Sequence, residues 1–240
     1  MKVLALTIGA APPSKMQCRH FRVEYRSSLP VAADSPKAKW YHLSRLLDAH
    51  LTERHDAAWF LDEDMRPASF DCDRFFSAWN LTRSVIAQPT IAERRLGRIF
   101  RHDEWVRGEI ASWRSTRYVE QQAPLINATF LRWFMRLPIT AHVLRLEKKW
   151  NVDFGVDSMW CAAARARYPS ASACAVIHVP MQHADLHTQK YRLGDYFRRG
   201  FALLEEAGMR RPLPCWHPRN CTLHPWFFLP HKASKRLVAT

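Results

Sequence analysis

The sequence predicts an α/β fold in which one sheet is flanked by helices, and three observations lead to that prediction. Short apolar runs at residues 2–8, 59–61 and 173–180 are typical of buried strands. Between the first two runs lies the stretch 37–53, whose apolar residues recur at intervals of three and four and therefore indicate a helix. A strand, a helix and a second strand in this order favour a parallel, right-handed crossover.

The remaining elements follow from shorter signals. Strands are predicted at 84–89, 118–126 and 173–180, and the first and last of them run up to Pro89 and Pro180. Asn127 is a candidate cap for the helix that follows it, and Asp71 lies near the start of another. The predicted helices cover, in order, residues 70–80, 128–137, 140–150, about 156–168 and 191–208.

Length and charge place limits on what the protein does. The chain has 240 residues, of which 48% are hydrophobic, and its net charge is +14. A chain of this length can bury the core of one large domain. A charge so far from zero favours a polyanionic partner such as nucleic acid, an acidic glycan or an anionic membrane, and a merely soluble basic surface is the alternative.

The N-terminus and the cysteines indicate a cytoplasmic protein. No apolar run approaches the ~20 residues of a membrane-spanning helix. Residues 1–9 are too short for a signal peptide and are better interpreted as the first strand. The six cysteines show no framework-like spacing, so we expect reduced thiols. The tail contains four potential zinc ligands at an unusual spacing, namely Cys215, His217, Cys221 and His224.

An acidic motif directly follows the apolar run 59–61. It consists of Asp62, Glu63 and Asp64. Three carboxylates at the end of a buried strand repel one another, and a divalent cation is their natural counter-charge. On extended backbone Asp62 and Asp64 point to the same side, which gives a D-x-D pattern. A solvated acidic turn without function is the alternative interpretation.

Two further places could contact a nucleotide. The loop 9–13, rich in small residues, follows the first strand, and such a loop is a usual nucleotide site in an open α/β sheet. Thr7 and Gly9 are therefore candidate contacts, although no phosphate-binding glycine pattern is present. Lys37 and Lys39, at the start of the first helix, could bind a diphosphate, but solvated lysines are the more common case.

Three histidines lie within ten residues at the end of the last strand. They are His178, His183 and His187. Imidazole is a common ligand for metals, so the cluster indicates a metal or phosphate site. Each histidine taken alone is more often an ordinary polar residue with satisfied hydrogen bonds.

Basic and aromatic residues alternate between residues 91 and 116. This combination suits a phosphate backbone together with stacked bases or sugars, and a solvated basic helix is the alternative. The candidate nucleic-acid contacts, in this stretch and in the predicted C-terminal helix, are Arg94, Arg95, Arg98, Arg101, Trp105, Trp113, Arg198 and Arg199.

The order of these pieces resembles that of GT-A-type glycosyltransferases, and in particular a group of poorly characterised bacterial and phage GT-A-like domains. The resemblance covers roughly residues 2 to 187, and it rests on the order of the motifs because none is specific alone. The matching pieces are Lys37 or Lys39 with Trp40, Asp62-Glu63-Asp64, Gln88-Pro89, Val119-Glu120 with Ala123-Pro124, Gly155-Val156-Asp157, and Ile177 through His183. The very basic 91–116 segment and the tail after 190 depart from the pattern.

The resemblance implies a fold and a donor site. Residues 1–189 would form a single GT-A-like (Rossmann-like) mixed sheet flanked by helices, followed by a basic, Pro-rich extension at 190–240. Asp64 would ligate Mn²⁺ or Mg²⁺, with His183 as a further ligand and His178 as its rival. Asp62 would contact the ribose or a metal-bound water, with Glu63 beside it, and the donor would be a nucleotide sugar, most naturally a UDP-sugar.

The resemblance also implies an acceptor site. Asp157 matches the position that holds the acceptor hydroxyl, where a carboxylate can act as general base, and Glu120 is the second candidate. Inversion at the anomeric carbon follows if Asp157 is the base. DNA attracts basic proteins strongly, so the leading acceptor is a hydroxylated base in DNA, flipped out of the stack beside Trp105 or Trp113.

Other functions are compatible with the same residues. The acceptor could instead be a cell-surface polysaccharide or a lipid-linked sugar, with the basic tail on anionic lipid. Acidic clusters with histidine also suit a metal-dependent nuclease. The last alternative is a degenerate fold that only binds nucleic acid.

Overall fold

The chain folds into an open mixed sheet flanked by helices. The computed structural model describes residues 1–8, 18–27, 39–47, 54–62, 65–66, 70–93, 112–116, 118–153, 155–169, 172–183 and 193–209. The α/β class predicted from the sequence is confirmed within these residues.

Eight strands form the sheet in the described part of the chain. They are β1 (Lys2–Ile8), β2 (Arg22–Ser27), β3 (Ala57–Asp62), β4 (Met65–Arg66), β5 (Ile86–Glu93), β6 (Trp113–Thr116), β7 (Leu125–Asn127) and β8 (Cys174–His183). Their order is β2-β1-β3-β7-β5-β8-β4, and β6 also pairs with β8. The parallel pairing of β1 with β3 agrees with the strand–helix–strand order of the sequence.

The strand directions bring five C-terminal ends to one edge of the sheet. β1 is parallel to β2 and to β3, β7 is antiparallel to both β3 and β5, and β5 is parallel to β8. β2, β1, β3, β5 and β8 therefore end on the same side, at Ser27, Ile8, Asp62, Glu93 and His183. β4 pairs antiparallel with the end of β8, which places Met65 opposite His183. We refer to this side of the sheet as the carboxyl edge.

Six helices cover the sheet within the ranges that the structure describes. They are α1 (Lys39–Leu46), α2 (Cys72–Thr82), α3 (Ala128–Met135), α4 (Pro138–Trp150), α5 (Val156–Arg167) and α6 (Leu193–Glu206). The cap predicted at Asn127 forms, because this residue accepts a hydrogen bond from the Phe130 N–H. Asp71, predicted only to lie near a helix start, is also a cap and accepts a hydrogen bond from the Arg74 N–H. None of the described helices has the length and apolar character needed to cross a membrane.

Successive side chains of β3 point to opposite faces of the sheet, and each face is covered by its own hydrophobic cluster. Ala58 and Phe60 lie in the cluster shared with α1 and α3 to α6. Trp59 lies in the cluster on the other side, where its ring centroid is 5.5 Å from those of Phe75 and Phe76 in α2. The period of two that predicted a strand thus also separates the two layers of helices.

The predicted extension after residue 190 begins with α6. Leu203 and Leu204 of this helix are buried in the same cluster as Phe60. Residues 210–240, with the four potential zinc ligands of the tail, lie outside the described residues.

Two strands extend beyond the prolines at which the sequence predicted their ends. β5 continues through Pro89 to Glu93, and β8 continues through Pro180 to His183. The register of the β5–β8 pair shifts between Pro89 and Thr90, so the two prolines flank a bulge. A bulge tolerates residues that cannot donate to the ladder, which is why the strands persist. By contrast, only the C-terminal end of the predicted 118–126 strand forms, as β7.

The expectation of reduced thiols is wrong for four of the cysteines. Disulfides join Cys18 to Cys72 and Cys161 to Cys174, with Cα–Cα distances of 5.6 and 5.8 Å. The partners are 54 and 13 residues apart, so the pairing depends on the fold and could not be deduced from spacing. The second disulfide ties α5 to the start of β8.

Candidate functional site

A buried lysine organises the carboxyl edge next to the acidic motif. The Nζ of Lys39 donates to Oδ1 of Asp62 at 2.6 Å and to the main-chain oxygen of Gln121 at 2.9 Å. It also lies 4.0 Å from Oδ2 of Asp153. The Lys39 side chain is 7% exposed, whereas those of Asp62 and Asp153 are 24% and 22% exposed. The interpretation of Lys39 as a solvated lysine is therefore wrong.

The charge of Lys39 is maintained by its acidic neighbours. Burial alone would lower the pKa of the Lys39 ammonium group, because a low-dielectric environment disfavours charge. The carboxylates of Asp62, Asp153 and Asp157 outweigh burial, so the pKa is raised above its ordinary value. Lys39 is thus a cation at neutral pH, held by carboxylates that remain partly open to solvent.

The segment after Glu120 fixes this arrangement. Gln121 accepts a hydrogen bond from Nε1 of Trp40 at 3.0 Å, and its Nε2 donates to the main-chain oxygen of Asp153. The N–H of Asp62 donates to the main-chain oxygen of Gln122 at 2.9 Å. One irregular stretch of chain therefore joins α1, the end of β3 and the loop before α5.

Asp157 is a buried carboxyl group in the same cluster. It lies in the first turn of α5 and is 5% exposed. Its Oδ2 accepts a hydrogen bond from the Tyr118 hydroxyl at 2.7 Å, and its Oδ1 accepts one from the Gly155 N–H at 3.3 Å. A carboxylate has about four lone-pair sites, so both oxygens retain acceptor capacity.

Burial raises the pKa of Asp157 to about 6. The hydrogen bonds from Tyr118 and Gly155 and the charge of Lys39 lower it, while the charge of Asp153 raises it further. The dipole at the start of a helix would by itself lower the pKa of an aspartate in the first turn. Here desolvation of the Asp157 carboxylate outweighs the favourable groups at the start of α5.

Glu120 is anchored to the neighbouring strand. It is buried, and its N–H donates to Oε1 of Gln88 in β5. The contact joins two of the motifs that carry the family resemblance, Gln88-Pro89 and Val119-Glu120. Of the two candidate bases, Asp157 is the one whose charge is coupled to Lys39.

The two candidate histidine ligands lie far apart. His183 is buried at the end of β8, and its Cα is paired with those of Met65 and Glu93. His178 lies five residues earlier on the same strand, a separation of ~16 Å, and its N–H donates to the main-chain oxygen of Ser112. One metal ion cannot bind both. His183 is at the carboxyl edge, and Asp64 immediately precedes its partner Met65 in the chain.

Several predicted site residues cannot be placed. For Thr7 the structure gives its backbone in β1, where its Cα is paired with that of Leu61. Among the residues that the structure describes, no three His, Cys, Asp or Glu side chains form a group that could hold a metal ion. The candidates that lie outside the described residues are Gly9, Lys37, Glu63, Asp64, Arg94, Arg95, Arg98, Arg101, Trp105 and His187.

The described candidates for nucleic-acid binding have different surroundings. Trp113 lies in β6 and packs, half-buried, against the core cluster around Trp59. Arg198 is exposed on α6. Arg199 donates to the main-chain oxygen of Trp150 at 3.4 Å, so it also supports the C-terminal end of α4.

Sequence reasoning missed three contributors to the site. Tyr118, Gln121 and Asp153 come from irregular chain, where periodicity gives no information. Asp153 carried a usable signal, since it stands four residues before Asp157 in a loop that opens a helix.

Comparison with known proteins adds no family to this picture. No protein-family model matches the chain, and no curated protein matches it. A function for this chain therefore has to be inferred from the chemistry of the site.

Gly155 gives a direct test of how tightly the start of α5 is packed. Its φ is +150°, and a Cβ at this position would lie 2.8 Å from Cγ1 of Val143 and 3.0 Å from Cδ2 of Leu203. We expect Gly155→Ala to lower the free energy of unfolding by ~2–3 kcal/mol, from overpacking and backbone strain together. Urea denaturation measures the change.

Gly208→Ala is the matched control for this substitution. Gly208 also has positive φ, at +73°, but a Cβ there would meet no atom within 4 Å. Its cost should be confined to backbone strain, ~1 kcal/mol. Equal losses for the two variants would show that packing around Gly155 is not the cause.

Proposed function

We propose that the protein is a metal-dependent glycosyltransferase that moves a sugar from a nucleotide sugar, a UDP-sugar in the first instance, to a hydroxyl group. The observation that carries the proposal is the cluster at the carboxyl edge. There a buried cation, Lys39, lies between the first carboxylate of the D-x-D motif, Asp62, and a second carboxylate, Asp153, with Asp157 coupled to it electrostatically. The mixed sheet is compatible with the GT-A-like fold that the sequence resembles.

Asp157 is suited to the role of general base. A catalytic acid or base works best when its pKa lies near the operating pH, and burial brings Asp157 to about 6. Its carboxylate accepts the proton of the acceptor hydroxyl, whose oxygen then forms a bond to the anomeric carbon. The bond from that carbon to the diphosphate oxygen breaks, and its electron pair leaves with the nucleoside diphosphate. A single displacement of this kind inverts the configuration.

The residues near the acidic motif fit a hard divalent cation, Mn²⁺ or Mg²⁺. The resemblance assigns Asp64 as a metal ligand; in the sequence it directly precedes Met65, and Met65 is paired with His183, the second assigned ligand. Carboxylate and imidazole are suitable ligands for these metals. Such an ion, when bound, would stabilise charge on the departing diphosphate.

This placement predicts unequal roles for the two histidines. We expect His183→Ala to weaken the Mn²⁺-dependent thermal shift with UDP by tenfold or more in metal concentration, because it removes a ligand. His178→Ala is the matched control, and we expect it to leave the metal titration unchanged. A loss confined to His178→Ala would move the metal site away from the carboxyl edge.

For the acceptor we favour a hydroxylated base in DNA, modified in the cytoplasm. The net charge of +14 supports this choice, since each phosphate contact releases counterions and strengthens binding. Arg198, exposed on α6, is one described residue that could meet the phosphate backbone. The base itself would have to leave the stack to present its hydroxyl group.

One observation favours a different acceptor. The two disulfides are typical of oxidising compartments and are rare in the cytoplasm. A cell-surface polysaccharide or a lipid-linked sugar, reached by a basic protein on anionic lipid, is therefore the second candidate.

The first experiment combines binding and transfer. Wild-type protein and Asp64→Ala are screened by thermal shift with UDP, GDP, CDP and their sugars, each with and without Mn²⁺. Saturation to a hundredfold excess over Kd stabilises by ~2.7 kcal/mol, so a donor should be evident. We expect a Mn²⁺-dependent shift with one nucleotide in the wild type and none in Asp64→Ala.

The responding donor is then offered hydroxymethylated DNA or acidic vesicles that carry lipid-linked sugar. Sugar transfer to DNA supports the first acceptor, and transfer only on vesicles supports the second. If no nucleotide shifts the wild type, with DNA present or absent, the glycosyltransferase proposal is wrong. Cleavage of plasmid DNA with Mg²⁺ would then indicate a nuclease.

A further inference from the structure

A second buried acid, Glu147 of α4, lies behind Asp157 and takes no part in the reaction described above. It is completely buried. Its Oε1 accepts a hydrogen bond from the Val156 N–H at 3.3 Å, and its Oε2 is buried with no hydrogen-bond partner among the described residues. A fully buried acid on a core-facing helix is unusual, because burying a charge is costly, and this calls for an explanation.

The contact with Val156 replaces a missing cap. Val156 is the first residue of α5, and the N–H groups of a first helical turn have no partner within the helix. The N-cap residue is Gly155, which has no side chain and makes no side-chain cap hydrogen bond. Glu147 supplies the acceptor from a different helix, and so it joins α4 to the turn that contains Asp157.

Gly155 completes this attachment. A Cβ on Gly155 would meet Val143 of α4 and Leu203 of α6, and it would lie 3.8 Å from Oε1 of Glu147. The absence of a side chain lets the turn approach α4 closely enough for the hydrogen bond to form. Glycine at the cap and an acid on the facing helix are therefore two parts of one arrangement.

We propose that Glu147 is a positioning residue that fixes the Gly155-Val156-Asp157 turn and thereby sets the place of the Asp157 carboxyl group relative to Lys39. The inference rests on the proposed function, in which Asp157 is the general base. Glu147 touches no substrate. It acts through the backbone of the turn, and its effect on the reaction is an effect on the geometry and titration of Asp157.

The charges around Glu147 indicate the form in which it acts. The charged groups that face it are Asp153, Asp157 and Lys39. Burial and the charges of Asp153 and Asp157 raise the pKa of Glu147 well above its ordinary value, although Val156 and Lys39 oppose the rise. The raised pKa favours the uncharged carboxylic acid over the carboxylate. Glutamine is the close isostere of the uncharged acid in shape and charge.

The test measures Asp157 directly, with and without turnover. Protein labelled with ¹³C at aspartate carboxyl carbons is titrated by NMR, and the Asp157 resonance is assigned from its absence in Asp157→Asn. The variants are Glu147→Gln, Glu147→Ala and Val156→Pro. The last removes the donated N–H at a position where proline is tolerated in helices, and it also replaces the buried Val156 side chain and restricts the backbone of Gly155. Thr140→Val, two turns away on the same buried face of α4, is the matched control.

We expect Glu147→Gln and Thr140→Val to keep the Asp157 midpoint near 6. Glu147→Ala and Val156→Pro should each shift that midpoint by at least ~0.5 pH unit, since the turn moves relative to Lys39 and its surroundings. In a transfer assay the same two variants should lose about tenfold or more in kcat at unchanged donor KM, because misplacing a catalytic group impairs the chemical step. Glu147→Gln should keep both the Asp157 midpoint and kcat at their wild-type values.

Two results would overturn the inference. One is an Asp157 midpoint that stays at the wild-type value in both Glu147→Ala and Val156→Pro. The other is a midpoint that falls by about one pH unit or more in Glu147→Gln, since this would show that Glu147 acts as a charge. If the wild type transfers no sugar, the proposed function fails, but the titration still decides whether Glu147 positions Asp157. If Glu147→Ala does not fold, Val156→Pro and Glu147→Gln decide it.

Discussion

Asp157→Asn should reduce sugar transfer by a factor of 10² to 10⁴, because an amide cannot accept the proton of the acceptor hydroxyl. The donor should still bind with its Mn²⁺-dependent thermal shift, since in the proposed reaction Asp157 acts on the acceptor hydroxyl and not on the donor. In the wild type, kcat/KM should fall tenfold per pH unit below about 6, where Asp157 becomes protonated. Initial rates between pH 5 and pH 8.5 measure both effects.

The same substitution should make the protein more stable at pH 7.5. The folded pKa of Asp157 is about 6 and its ordinary value is 3.8, so the ionised form is disfavoured by folding. The cost is absent below pH 3.8, grows between 3.8 and 6, and is complete above 6, where it amounts to ~3 kcal/mol. An amide avoids this cost, but it loses the hydrogen bond from the Gly155 N–H, worth ~1 kcal/mol.

Urea denaturation at pH 7.5 and pH 4 tests this expectation, with Asp73→Asn as the control. The Asp73 carboxylate accepts hydrogen bonds from the main-chain N–H groups of Arg19 and His20. Slight burial acts to raise its pKa, but these hydrogen bonds outweigh it and the pKa is lowered. Its substitution should not stabilise the protein and should leave transfer intact. If Asp157→Asn were both inactive and less stable at pH 7.5, Asp157 would be a structural residue rather than a base.

Lys39→Met should have the largest effect on stability among the site variants. Removing one partner of a buried ion pair typically costs 3–5 kcal/mol, because the other charge stays buried and unpaired. Asp62 and Asp153 are each about a quarter exposed, so we expect a loss near the lower end, ~3 kcal/mol. Donor binding should also be lost, because Asp62 is no longer held in place. Urea denaturation and the UDP thermal shift measure these two effects.

Lys148→Met is the matched control. Lys148 lies exposed on α4, and its Nζ contacts the hydroxyl of Tyr41, the residue after Trp40, at 3.3 Å. This change should alter stability by less than ~0.5 kcal/mol. The double variant Lys39→Met/Asp62→Asn should recover part of the loss, because the uncompensated charge is removed. Strictly additive losses would show that Lys39 and Asp62 do not interact.

Local patterns predicted much of the fold. The apolar run Trp59–Leu61 predicted β3, and short-range cap chemistry at Asn127 predicted where the next helix begins. Each of these signals depends on neighbours within a few residues. The strand ends predicted at Pro89 and Pro180 were wrong, because the effect of a proline depends on the partner strand. Here a bulge between Pro89 and Thr90 accommodates both prolines.

The candidate site was predicted less well, because its chemistry depends on contacts between distant parts of the chain. Lys39 is 23 residues from Asp62 and 82 from Gln121, so its burial could not be read from a helix start. Asp157 lies in the first turn of a helix, as predicted, but the direction of its pKa shift depends on how deeply that turn is buried. Glu147 did leave a signal, since it interrupts an apolar stripe with Val143 and Leu144 at helical spacing.

The pairing of β8 with three other strands constrains how the molecule can fold during synthesis. This strand is the last of the described strands in the sequence. It pairs with β4, β5 and β6, which are all synthesised before it. About 90 residues separate the paired ends of β5 and β8, so closing that pair is entropically costly and slow. Until Cys174–His183 has left the ribosome, three strands lack their common neighbour, and their open backbone edges are sites for aggregation or for chaperone binding.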